Sequence, residues 1–378
     1  MNLPLTLNKN GVYPSYAKRD CAQRAPVNQN KKPDTPHYWL TAAAGLLAFA
    51  VLLAPLAHAA SETLAVVKGN KFLRCGIGEN VPGFSEKVAS GGYRGFNVDF
   101  CRAVAAAVLG DPDKVAYTPV NSAGRFPLLL SGRIELLSHT TTWNLAREAG
   151  IGLTFPGIYF YDGQGFMVPH ASGVRHIEDL KDASICVEKF TTHVPQLNDV
   201  FRQRGLPYTP LIFEDMMATA NAFFEGKCKA YTSDRSTLAA MRSRAPGGPE
   251  RYDILPEIIS REPLAPVVRR GDEQWATIVR WVLNVLVIAE DRGFTAANVR
   301  RTVESSTNPN VQRFVAEGKS VARALGLPED WYLRAVEAGG NYGEIFERNL
   351  GAGSPLKIER GQNRLWTDGG LLYAPPLH

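Results

Sequence analysis

Residues 155–169 read FPGIYFYDGQGFMVP, and residues 257–271 read EIISREPLAPVVRRG. Both stretches are rich in β-forming residues and too long for one turn, so each reads as chain that crosses between two bodies. Before the first crossing, short apolar runs alternate with amphipathic segments, the pattern of an α/β protein with mainly parallel sheets. Phe72 to Ile77, Val115 to Val120 and Ile134 to Ser138 read as strands. A helix is predicted from Asn97 as N-cap, with Val98, Cys101, Ala105 and Val108 at near-helical spacing until Gly110 and Pro112 end it. Arg125 to Leu130 also reads as helical, and Pro127 fits only if that helix starts just before it.

Between the crossings lies a second unit of the same kind. It comprises a strand over Ser184 to Val187, a helix from about Thr192, a strand over Pro210 to Phe213, a helix through Met217 to Phe224, and a strand over Cys228 to Thr232. After the second crossing, WATIVRWVLNVLVIAEDRG gives the strongest helical pattern outside the first 59 residues. Two crossings and a return imply a discontinuous first lobe. Residues 60–163 form its first part, 164–262 the second lobe, and 263–378 the return and a C-terminal extension. Such a hinged α/β pair binds its ligand between the lobes, at the carboxyl ends of the strands.

The 378 residues carry 42 Lys plus Arg against 37 Asp plus Glu, a formal +5, with 45% hydrophobic and 21% charged residues. This composition excludes a disordered, collagen-like or polytopic membrane chain, and the length suits two domains. The charge is uneven. Residues 1–59 hold six basic and two acidic residues, which leaves 36 against 35 for the remainder. The basicity therefore gives no ground for a nucleic-acid partner. Lys31 and Lys32 precede the apolar run YWLTAAAGLLAFAVLLAPLA, which closes on Ala57-His58-Ala59 before Ala60. Residues 1–59 thus read as a signal peptide with a long basic leader, and the run also approaches the length of a membrane anchor.

The stretches GFNVDFCRAVAAAVLGDPDKV, LLSHTTTWNLAREAGIGLTF, YDGQGFMV, YTSDRSTLAA, EPLAPVVRRGDEQW and NYGEIFERNLGAGSPLKIERGQNRLWTDGGLLYAPP span about residues 70 to 376. Through them the sequence resembles the periplasmic solute-binding proteins of polar and general L-amino-acid ABC transporters, the bacterial extracellular solute-binding protein family 3. The resemblance implies a two-lobe periplasmic-binding-protein fold of type II, hinged by two crossing strands. It also implies a monomeric periplasmic receptor that carries an L-amino acid to membrane permease subunits driven by an ATPase. The same fold also carries exported enzymes, such as dehydratases of cyclohexadienyl acids, and ligand-sensing receptors without transport.

An amino acid brings a carboxylate and an ammonium, and a site that removes both from water must pair each of them. By resemblance Arg147 is the partner of the carboxylate, where a guanidinium grips through two parallel bonds. Asp234 matches the family's aspartate for the ammonium; read without the family, it is a strand-end turn or helix cap. Thr191 and Thr192 fall where the family has a Gly-Thr-Thr loop opening a helix, whose N–H groups face the carboxylate. Phe190 stands in place of that Gly and is strained if the position needs positive φ. Thr140 and Thr142 match positions that bond the ligand's main chain. His139 and Thr140 depart from the usual Arg-Asn. Val81 stands where smaller members stack an aromatic ring, Phe84 follows slightly later, and Glu79 is a candidate for the side-chain end.

Other motifs carry little. GIGENV lacks the third glycine of a dinucleotide fingerprint and is followed by Pro82. Ser138 and His139, adjacent on a strand, point to opposite faces and cannot act together in catalysis. There is no CxxC, and the histidines lack metal spacing, so neither a metal nor another cofactor is expected. Without Cys21, four cysteines remain, which allows three connectivities. Pairing within lobes, Cys75 with Cys101 and Cys186 with Cys228, leaves the hinge free to move.

Overall fold

A computed structural model describes residues 61–377. The basic leader and its cleavage pattern lie outside the described residues. Among the described residues no helix is long and apolar enough to cross a membrane.

The first sheet is three-stranded and parallel, with Leu73–Gly78 at its centre, Val115–Val120 on one side and Leu136–Leu137 on the other. The third strand is shorter than the apolar run suggests, although Glu135 and Ser138 on its flanks still donate their N–H groups to the Arg74 and Gly76 carbonyls, at 3.0 and 2.9 Å. Glu135 takes the backbone N–H and the guanidinium of Arg74 on its carboxylate, at 2.8 and 2.7 Å. The helix Phe96–Leu109 covers this sheet and buries Val98, Cys101, Ala105 and Val108 as the spacing predicts. Its N-cap is Gly95, not Asn97. At φ 133° a Cβ there would lie 2.3 Å from the Phe84 carbonyl carbon, so the close approach requires glycine. Asn97 lies inside the helix and accepts the Tyr159 hydroxyl at 3.0 Å. Arg125–Leu130 starts two residues before Pro127, whose missing N–H therefore falls in the first turn.

The second sheet has five strands in the order Tyr208–Phe213, Ala183–Glu188, Ala230–Asp234, Gln164–Pro169, Tyr252–Ile254. The first three are parallel and the last two join antiparallel. The helices His193–Gln203, Met216–Phe224 and Arg235–Arg242 follow its parallel strands. The last parallel strand runs to Asp234, two residues beyond the sequence expectation.

Two short strands join the sheets. Phe160–Asp162 and Glu262–Leu264 pair antiparallel, with Tyr161 opposite Pro263 and Asp162 opposite Glu262. Tyr161 therefore turns its own N–H and C=O away from the pair, where the Asn363 side-chain amide meets both, at 2.7 and 3.0 Å. The chain then enters the 19-residue helix Glu273–Asp291, capped by Asp272 through the Trp275 N–H. Four further helices, Val299–Ser305, Pro309–Leu325, Trp331–Glu337 and Tyr342–Asn349, pack toward the first sheet's helix and lead to the C-terminal run. Disulfides join Cys75 to Cys101 and Cys186 to Cys228, each within one sheet-and-helix unit.

Candidate functional site

Every strand whose carboxyl end faces the space between the sheets delivers a polar residue there. Leu73–Gly78 leads to Glu79, Val115–Val120 to Asn121 and Ser122, and Leu136–Leu137 to His139 and Thr140. From the other side, Ala183–Glu188 leads to Thr191 and Thr192, Tyr208–Phe213 to Asp215, and Ala230–Asp234 ends on Asp234. They enclose a cavity of about 50 Å³. Thr140, Thr142, Arg147, Thr191, Thr192 and Asp234 all stand in its wall, so six residues spread over 95 positions of sequence come together. Val81 lines it too, whereas Phe84 packs edge-on against Phe96 and Phe160 in the core.

Arg147 is 7% exposed and donates to the Thr142 carbonyl at 2.7 Å. Burial pulls its pKa down, against the opposing influence of Glu262 and Asp234. Asp234 N-caps the helix Arg235–Arg242 by position only, since its side chain makes no cap bond. Its carboxylate instead meets His193 Nε2 at 3.0 Å, with both side chains buried. Burial opposes charge on His193, but Asp234 together with Glu262 and Glu188 outweighs it and raises the pKa above the ordinary value. Next to them Asp162, on the first crossing strand, is pushed up to about 7 by burial and by the Asp234 charge.

The hydroxyls of the threonine loop are already engaged. Thr191 donates to the Glu188 carbonyl at 2.7 Å, and Thr192 donates to Glu262 at 3.0 Å. Phe190 has φ 60°, the left-handed conformation that glycine would occupy without strain, and its ring lies exposed under the Lys189 ammonium. His139 donates from Nε2 to the Val120 carbonyl at 3.2 Å, an acceptor that fixes this tautomer. Burial and the Arg125 charge push its pKa down to about 3, so it is neutral.

Sequence reasoning missed Arg125, Glu188, His193 and Glu262. Arg125 is 2% exposed, donates to Ser122 at 3.2 Å and leaves Nε without a partner among the described residues. Burial first and Arg147 second push its pKa down to about 9. Glu188 faces it from the second sheet, and its pKa is raised by burial. A charged residue at a strand's carboxyl end was the available signal. His193, Asp234 and Glu262 hold ligand atoms within 4.8 Å of one another, a grouping that linear spacing cannot reveal. Metal-bound histidine ordinarily donates its other ring nitrogen to an acceptor, and His193 Nδ1 has none among the described residues. Of the three, His193 and Asp234 line the cavity and Glu262 does not, so the Asp234 carboxylate suits an ammonium better than the group suits a metal.

This is the architecture of a two-lobed binding protein, with a polar cavity between the sheets. Residues 73–290 match the bacterial extracellular solute-binding proteins, family 3, and the chain belongs to that family. It is 46% identical over 330 residues to the general L-amino acid-binding periplasmic protein AapJ of Rhizobium johnstonii, covering 87% of this chain and 96% of that one. It is 43% identical over 332 residues to the glutamate/glutamine/aspartate/asparagine-binding protein BztA of Rhodobacter capsulatus, covering 88% and 97%. A solved periplasmic binding protein of Brucella ovis, with glutathione bound, superposes with a TM-score of 0.82 at 44% identity, over 85% of this chain and all of that one.

Proposed function

We propose that the mature protein is the periplasmic binding component of an ABC importer for L-amino acids, with preference for acidic and amide side chains. The observation that carries this is the division of charge in one cavity, with Arg147 on the first lobe and Asp234 on the second. Arg147 takes the α-carboxylate, together with the N–H groups at the start of the helix His193–Gln203. Asp234 takes the α-ammonium, and Thr140 and Thr142 border the ligand's main chain. Residues 60–163 with 263–378 and residues 164–262 act as the two lobes, closing about the crossing strands. The closed monomer then docks on permease subunits, whose ATPase drives transport. Glutathione, named with the Brucella ovis structure, carries the same α-amino-acid grouping on its γ-glutamyl end.

The buried, incompletely paired guanidinium of Arg125 also lines the cavity, and it is assigned to the ligand side chain because Arg147 is committed to the α-carboxylate. A side-chain carboxylate or amide oxygen satisfies it; a cationic side chain would face it unfavourably. Calorimetry with L-glutamate, L-glutamine and L-arginine tests the reading. Binding of the first two without turnover supports it, while product formation overturns it. Arg125→Met lowers the preference for L-glutamate over L-alanine by about tenfold, the worth of a charge-assisted hydrogen bond.

A further inference from the structure

Glu262, on the second crossing strand, is 2% exposed and gathers three hydroxyls. Its Oε2 accepts from Thr142 Oγ1 at 2.5 Å and from Thr192 Oγ1 at 3.0 Å, and its Oε1 accepts from Ser260 Oγ at 2.6 Å. Thr142 follows the last strand of the first sheet, and Thr192 opens a helix of the second. One oxygen atom thus holds a hydroxyl from each lobe. Any motion that separates the lobes breaks at least one of these bonds and leaves a buried carboxylate short of a donor. Thr142 also gives its carbonyl to Arg147, which ties the same residue to the candidate carboxylate grip.

We propose that Glu262 is a positioning residue, a clasp on the cleft floor that forms as the lobes meet and slows release of the bound amino acid without touching it. The inference rests on the amino-acid-binding reading above. It gives Thr142 and Thr192 a role through Glu262, because each hydroxyl proton points at that carboxylate and not at the ligand. A carboxylate suits the position because all three neighbours are hydroxyl donors. Glutamine would turn an N–H₂ toward at least one of them, whichever way its amide faced.

The test is stopped-flow binding of L-glutamate to the wild-type protein and to Glu262→Gln, Thr192→Val and the double variant. The clasp predicts a dissociation rate about tenfold higher in Glu262→Gln, as for loss of a hydrogen bond to a charged group, with association unchanged within about twofold. Thr192→Val moves the same rate in the same direction. In the Glu262→Gln background it adds less than in the wild type, because Thr192 acts only through the charge of that carboxylate. Spin labels on the two lobes report a wider ligand-free distance distribution in Glu262→Gln. If Glu262→Gln does not fold, Thr142→Val and Thr192→Val carry the same rate test. Wild-type dissociation rates in the variants, or effects of Glu262→Gln and Thr192→Val that multiply independently, overturn the clasp and leave the binding reading standing. Failure of the wild-type protein to bind any L-amino acid overturns both.

Discussion

The two walls of the cavity differ in the sign of what they bury. The wall from the first sheet presents Arg125 and Arg147, with a neutral His139 beside them. The facing wall buries Glu188 and the His193–Asp234 pair, while the acidic Glu79 on the first wall is exposed and Asp215 on the second only half-buried. Burial pulls the two arginines down in pKa and pushes Glu188 up, so each wall alone holds charge at a cost. Bringing the walls together offsets that cost, and a zwitterion between them offsets more, because it offers each wall the opposite charge. On the proposed function, closure and recognition are one electrostatic event viewed from two sides.

The sharpest way to break this opposition is to remove its cation. Arg147→Ala should weaken L-glutamate binding by about 2 to 5 kcal/mol in calorimetry, since the ligand carboxylate is left buried and unpaired. Neutralising the opposite wall with Asp234→Asn keeps the shape and removes the charge. It should cost about 1.5 to 3 kcal/mol, and a variant that bound zwitterions as tightly as wild type would take Asp234 out of the site.

Acid should blunt the same wall. Asp162, with a pKa of about 7, holds a proton that the nearby ligand ammonium discourages, and protonated His193 competes with that ammonium for Asp234. Both effects have one sign, so affinity rises with pH. The change is up to about tenfold between pH 6 and 8 for one proton released. Ligand-free stability runs the other way. A carboxyl raised above its unfolded value stabilises the folded state below the ordinary carboxylate range, and that contribution is lost as pH rises through about 7. Titration calorimetry in two buffers of different ionisation enthalpy, beside Tm against pH, checks both slopes.

The smallest effect belongs to the rim. Arg244, from the second lobe, reaches the Asn80 carbonyl at 2.9 Å and Glu86 at 2.9 Å on the first. This pair is partly solvated, so Arg244→Ala should cost about 0.2 to 1 kcal/mol of ligand affinity, less at high salt.

Much of this arrangement is legible in the order of the amino acids. The alternation of strands and helices and the two crossings follow from local pattern, whereas the site residues at the strand ends follow from the family resemblance. Asp234 shows the limit of such reading. A strand that runs two residues further than its apolar run makes the aspartate the last strand residue, and the side chain pairs with His193 instead of capping the next helix. Phe190 is the reverse case, since a missing glycine already points to its positive φ. Glu262 leaves no such mark, because its partners lie 120 and 70 residues away and nothing within EPLAPVV shows that a carboxylate is buried. Long-range convergence of hydroxyls on one oxygen leaves no periodic trace in sequence.

The Asn363 amide that meets both polar groups of Tyr161 has a consequence for life outside the cytoplasm. A lone pair of strands between two sheets offers an open edge, and an open edge invites strand addition from a neighbouring molecule. Here one side-chain amide, 4% exposed, occupies that edge as a further strand would. On the hinge reading proposed above, the C-terminal run thereby shields, through a single residue, the strand edge at the crossing.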